Sequence, residues 1–139
     1  MSGQIVIVAP MPDNPNATKR GNWKKRDSIR KKYFARLDEL QNCGLIPAPP
    51  KFPFEKATVR SVMHLGHGMD EDNAMRRHKE LMDWLKTRGY IVDDRRSVLK
   101  WESFPEQIIR RNGRYTITLT LQSAESWTAD TDDLTASEV

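Results

Sequence analysis

Several features that would settle the class of a chain are scarce or missing here. The 139 residues include a single cysteine, Cys43. No disulfide can form within the chain, a reducing compartment suits it, and the thiol reads as idle rather than nucleophilic. No apolar run approaches the ~20 residues that cross a bilayer, and the N-terminus lacks a secretory pattern. The expectation is a soluble, cytoplasmic protein with no membrane partner. Neither an internal repeat nor a Gly-rich phosphate loop is present. His64 and His67 have no cysteine pair and no neighbouring third histidine, so zinc is not expected on them. Their place just before Asp70 still lets them flank a site or touch a phosphate.

Positive charge is missing from one stretch altogether. Residues 123–139 hold Glu125, Asp130, Asp132, Asp133 and Glu138 and no Lys or Arg. The rest of the chain then sets 23 basic against 14 acidic residues, about +9, although the whole carries only +4. A body that basic attracts polyanions, of which nucleic acid is the commonest, while solubility alone is the plainer explanation. Residues 1–122 read as one domain long enough to bury a core. Residues 123–139 read as a disordered acidic tail able to mimic phosphate.

What the chain does have is concentrated between Asp70 and Asp94. Met75, His78, Met82 and Leu85 recur at helical spacing, beside Ala74, Leu81 and Trp84, and predict a buried stripe on a helix over 73–88. Asp72 or Asn73 is the expected cap, and Gly89 after Lys86 and Arg88 is the expected stop. Tyr90, Ile91 and Val92 then suit an extended return. Asp72 and Lys79 stand seven residues apart, nearly two turns, and so share a side of that helix. The helix is about 24 Å long. Five extended residues after Gly89 recover roughly 17 Å, which brings Asp94 back toward the level of Lys79. Asp70, Asp72, Asp94 and Lys79 can thus converge. Crowded carboxylates repel unless a cation neutralises them, and oxygen ligands favour a hard ion such as Mg²⁺. Each part also has a plainer explanation: a cap, a turn, or an i,i+4 pair between Lys79 and Asp83.

Taken together, Asp70-x-Asp72-Asn73, Lys79, Asp83, Leu85, Gly89 and Asp93-Asp94 resemble the signature of RusA-like Holliday-junction resolvases, endonucleases frequent in phages and prophages. The match covers about 25 residues, with a weaker extension to Val8-Ala9-Pro10-Met11-Pro12 upstream. The gap between Asn73 and Lys79 is longer than in the best-known members, which moves the lysine about one turn along the same helical side. The resemblance implies a Mg²⁺-dependent endodeoxyribonuclease, with Mn²⁺ as a possible substitute, that resolves four-way junctions in recombination and repair. It implies a homodimer in the cytoplasm or nucleoid of a bacterial host. Asp70, Asp72 and Asp94 would hold the metal, with Asp93 a near alternative, and Lys79 would act on the phosphate. Two other functions stay open: a non-catalytic DNA-binding protein of the same fold, and a metal-dependent nuclease for other DNA structures.

Outside that core, Lys19, Arg20, Trp23, Lys24, Lys25 and Arg26 set positive charge around an aromatic, suited to gripping phosphates while Trp23 stacks on a base. A solvated basic loop is the alternative. Arg76, Arg95 and Arg96 join the candidate DNA contacts, although the last two can equally neutralise Asp93 and Asp94. The remaining elements are a strand over 4–8, a helix from Ser28 to about Asn42, strands over 56–65 and 98–101, and a strictly alternating strand over 115–121. Asn112-Gly113 predicts a hairpin turn; whether Ile108 and Ile109 pair across it stays open. The order β-α-β-α-β-β predicts an α+β, two-layer domain: a mixed sheet of about four strands with two main helices.

Overall fold

Alternation of Ile117, Leu119 and Leu121 with threonines builds the strand on which the sheet is centred. The computed structural model describes residues 3–12, 23–111 and 115–124, with the side chains of 23–25 left out. Among these the order is β1 (Gln4–Pro10), α1 (Trp23–Asn42), β2 (Ala57–Leu65), α2 (Glu71–Arg76), α3 (Lys79–Thr87), β3 (Leu99–Trp101), β4 (Glu106–Ile109) and β5 (Thr116–Ser123). β5 runs antiparallel between β1 and β2. β3 and β4 follow one another along the far edge of β2, parallel to it, on Ala57–Val59 and Val62–Leu65 respectively. The fold is α+β, with a mixed, open sheet.

Register decides which face is core. Ile7 pairs with Leu119, Val59 with Leu121 and Met63 with Ile117. Paired residues point the same way, so these six share one face. All six are fully buried in one cluster with Leu37 of α1 and Leu81, Trp84 and Leu85 of α3. The opposite face carries Val6 and Val8, 43% and 53% exposed. Helices therefore cover one side of the sheet, the two-layer arrangement. α1 is tied to α3 by Asp38, whose carboxylate accepts from Trp84 Nε1 at 2.9 Å and from Arg88 Nε and Nη2 at 2.8 Å. No helix among the described residues is long and apolar enough to cross a membrane.

Several differences from expectation stand out. The sheet has a fifth strand, β4. The hairpin at Asn112-Gly113 is not formed between paired neighbours, because β4 and β5 lie on opposite edges of β2; residues 112–114 themselves lie outside the described residues. α1 starts five residues before Ser28. Of the extended return, Ile91 alone bridges, to Phe54. β5 continues to Ser123, and the Ala124 amide donates to the Lys56 carbonyl at 3.0 Å, so the start of the supposed tail belongs to the fold. The remainder of that acidic stretch, 125–139, lies outside the described residues.

The helix predicted over 73–88 is broken at Arg77 and His78. In an unbroken helix the His78 amide would donate to the carbonyl of Ala74. Here the His78 ring takes that carbonyl, Nδ1 to oxygen 2.7 Å, and the amide turns to Met75 at 3.0 Å. Past the break, α3 ends as expected. Gly89 sits at φ +87°, Tyr90 N donates to Leu85 O at 2.9 Å and Gly89 N to Lys86 O at 3.3 Å, which is the paired closure of a glycine-stopped helix.

Candidate active site

The acidic turn is assembled where β2 runs out. Beyond Leu65 the chain leaves the sheet through Gly66, His67 and Gly68. Met69 is then caught between two hydrogen bonds from one side chain: its amide donates to Gln107 Oε1 at 2.9 Å, and Gln107 Nε2 donates to its carbonyl at 2.8 Å. Asp70 follows and caps α2, its Oδ1 accepting from Asn73 N at 2.8 Å. The cap is therefore Asp70 rather than Asp72 or Asn73. That leaves Asp72 exposed in the first turn of α2, beside Glu71.

Lys79 and Asp94 share a hollow at the other end of the break. Together with Met75, His78, Met82, Leu99 and Trp101 they line a hollow of about 150 Å³. Asp70 and Asp72 are not among its lining residues. Lys79 makes no ion pair among the described residues, because Asp83, its expected i,i+4 partner, lies 3.9 Å from Arg30 of α1 instead.

Of the neighbouring acids, one is committed and one is open. Arg95 holds Asp93 Oδ2 through Nε at 2.7 Å and Nη2 at 2.6 Å, and Asp93 Oδ1 accepts from the Asp94 amide at 2.7 Å. The Arg95 bond, with that amide, holds the Asp93 carboxyl below its ordinary range. Asp94 lies 3.9 Å from the Lys86 ammonium, which it shares with Asp93. Arg95 thus does the neutralising that the sequence left open. Arg26, Arg76 and Arg96 are exposed. Lys19 and Arg20 lie outside the described residues, as do the side chains of Trp23, Lys24 and Lys25.

The hollow rests on a pinned, neutral histidine. His78 is buried to 1% exposure, and burial pushes its pKa down to about 4. A carbonyl can only accept, so in the neutral ring Nδ1 carries the proton to Ala74 O and Nε2 accepts from Ser61 Oγ at 2.6 Å. Trp101 meets the ring edge to face, centroids 5.3 Å apart. Sequence reasoning put His78 on the apolar stripe but missed this polar role, since Ser61 sits on a distant strand. Gln107 was missed for the same reason. Nearby, Arg77 Nη2 donates to Pro12 O at 2.8 Å and Tyr33 Oη to Pro10 O at 2.7 Å, so the proline-rich segment after β1 is fastened beside the break.

Among the described residues, no three His, Cys, Asp or Glu side chains stand together as a group that could hold a metal ion. Mg²⁺ seldom asks for one: it is commonly bound through one or two carboxylates and completes its octahedron with water and substrate phosphate. Exposed carboxylates at Asp72 and Asp94 are donors of that kind. No family model matches the chain, and no curated protein matches it.

Proposed function

We propose that the protein is a Mg²⁺-dependent endodeoxyribonuclease of the RusA-like kind, acting on four-way and other branched DNA. The observation that carries this is the hollow itself. Lys79, which begins the second half of the broken helix, and Asp94, beyond the end of that helix, line one small cleft, and the start of the same helix carries Asp70 as its cap and Asp72 in its first turn. That combination is what the RusA-like signature leads one to look for.

Of Asp70, Asp72 and Asp94, one or two carboxylates at a time would hold the ion, water and substrate phosphate completing its shell, and Mn²⁺ could take its place. When bound, the metal supplies an activated water and charge stabilisation on the scissile phosphate. The chain's own residues do the rest. Lys79, which makes no ion pair among the described residues, would face the phosphate or its leaving oxygen. His78, neutral and locked, keeps Lys79 and Met75 in place without adding charge. Arg76, Arg96 and Arg26 are exposed cations available to backbone phosphates, in line with a basic body. Two symmetric nicks in a junction need two such sites related by a two-fold axis, so the working form is a homodimer, in a cytoplasmic setting.

The test is direct. Purified protein with Mg²⁺ or Mn²⁺ should nick a synthetic four-way junction; an intact junction would remove the proposal. Competition between junction, fork and duplex would fix the preferred structure. A second reading, a DNA-binding protein without catalysis, draws on the Asp70 cap and the Asp93–Arg95 pair, interactions that a helix start and a turn make without any metal. Asp72→Asn separates the two. A nuclease loses cleavage and keeps or tightens junction binding, since one charge repelling phosphate has gone.

A further inference from the structure

The short helix α2 is six residues long. A helix of that length is marginal without tertiary ties, because nucleation costs more than so few hydrogen bonds return. Its far end is tied down by the His78 ring at Ala74 O. Its near end is tied through the residue before the cap, and the tie is a side chain. Gln107 occupies β4 opposite Met63, is half-buried, and spans both backbone groups of Met69. A side-chain amide can do this because it sets a donor and an acceptor side by side, as a neighbouring strand would. One peptide separates Met69 from Asp70, and two more reach Asp72.

We propose that Gln107 is a positioning residue for the acidic turn, fixing the direction in which Asp70 and Asp72 leave the end of β2. For its consequence in cleavage this rests on the nuclease reading above. Gln107 touches neither metal nor DNA in this scheme; it acts through Met69. Residues that orient the groups ligating a metal typically matter 10- to 100-fold for metal affinity or activity.

The experiment compares wild type, Gln107→Met and Gln107→Glu as full-length chains. Methionine keeps the volume and removes both bonds; ionised glutamate keeps the acceptor and removes the donor. Mn²⁺ alone is titrated while amide NMR signals of residues 69–73 are followed for paramagnetic broadening, and junction cleavage is measured in parallel. The expected result is a 10- to 100-fold higher Mn²⁺ concentration for half-broadening in Gln107→Met, a smaller shift in Gln107→Glu, and a fall in kcat with the KM for junction within about twofold. If Gln107→Met does not fold, Gln107→Glu is read in its place. Unchanged broadening and unchanged kcat overturn the proposal. If wild type fails to cleave, the nuclease reading falls. The Mn²⁺ shift then still decides for Gln107, and a wild type whose signals at 69–73 ignore Mn²⁺ counts against it.

Discussion

The imidazole of His78 occupies the carbonyl of Ala74, one turn back, that an unbroken helix would reserve for the amide of His78 itself. This one substitution of partners divides α2 from α3 and lets Ser61 of β2 reach the ring from below. It also fixes a pH dependence. The folded pKa, about 4, lies below the ordinary 6.5, so the unfolded chain takes the proton first. The contribution of neutral His78 is complete above pH 6.5 and is lost as pH falls from 6.5 to 4. At 1.36 kcal/mol per pKa unit its size is about 3 kcal/mol. Arg77, beside the ring, adds to the depression, and Lys79 and Asp94 share its hollow. Urea denaturation at pH 7 and pH 4.5 should show a wild-type loss that His78→Phe lacks. Equal losses in both proteins would place the titration elsewhere.

Ser61→Ala tests the same pin from the other side. Nε2 would then be a buried acceptor without a donor, at a cost of about 1–3 kcal/mol. The expected result is a lower urea midpoint with an unchanged m-value at pH 7, because the compact state is kept while its stability drops.

Asp38 makes a second, different link, between α1 and α3. Its carboxyl is held below its ordinary range chiefly by the Arg88 hydrogen bonds, and the Arg88 pKa is raised in turn by Asp38. Both side chains are about one third exposed, at 35% and 33%, so the link is screened. Asp38→Ala should therefore cost about 1–2 kcal/mol at neutral pH. A depressed carboxyl contributes above its unfolded pKa and loses that contribution as pH falls through the folded one. Wild type and Asp38→Ala should thus converge in stability at strongly acid pH. Chemical denaturation across pH, in low and high salt, checks both statements.

The sheet predicts an asymmetry between its faces. Leu119→Ala opens a cavity at a fully buried position on the central strand and should cost about 2–5 kcal/mol. Val8→Ala, on the uncovered face of β1 at 53% exposure, should stay within about 0.5 kcal/mol in the monomer. A large cost for Val8→Ala, growing with protein concentration, would show that a second copy covers that face.

What could be read from the sequence follows from how local each signal is. The alternation in β5 and the Gly89 stop were legible because period-2 burial and positive φ are written in neighbouring residues. The break at His78 was not, because it depends on Ser61, which meets the ring only once β2 is laid beneath the helix. β4 was obscure for a related reason. Glu106–Ile109 pairs along one edge of β2 only, is half-buried or exposed throughout, and shows no clean alternation. Asn112-Gly113 carries a hairpin signal and lies outside the described residues; the strands before and after it, β4 and β5, run in opposite directions on opposite edges of β2. The same signal cannot say that the two arms will straddle a third strand. At the candidate site, spacing set Asp94 near the level of Lys79, and both line the hollow, whereas Asp70 and Asp72, expected to converge with them, do not line it. Which of Asp93 and Asp94 stays open depended on where the Arg95 guanidinium turned.

That last point gives the sharpest prediction for function. Asp93 is engaged twice, by the Arg95 guanidinium and by the Asp94 amide, whereas Asp94 lines the hollow with Lys79. If the protein cleaves junctions as proposed, Asp94→Asn should lower kcat by about 10²–10³-fold, the scale for removing one group that stabilises developing charge. Lys79→Met should fall in the same range, for the same reason. Asp93→Asn should stay within about threefold of wild type, because it disturbs a turn and frees Arg95 without touching the cleft. Junction affinity measured in Ca²⁺ should be unchanged or slightly tighter for both Asn variants, each having lost a charge that repels phosphate. Cleavage time courses on a synthetic junction read the first three outcomes and gel shifts the fourth. A variant set in which Asp93→Asn is dead and Asp94→Asn is active would move the metal ligand to the residue that Arg95 now holds.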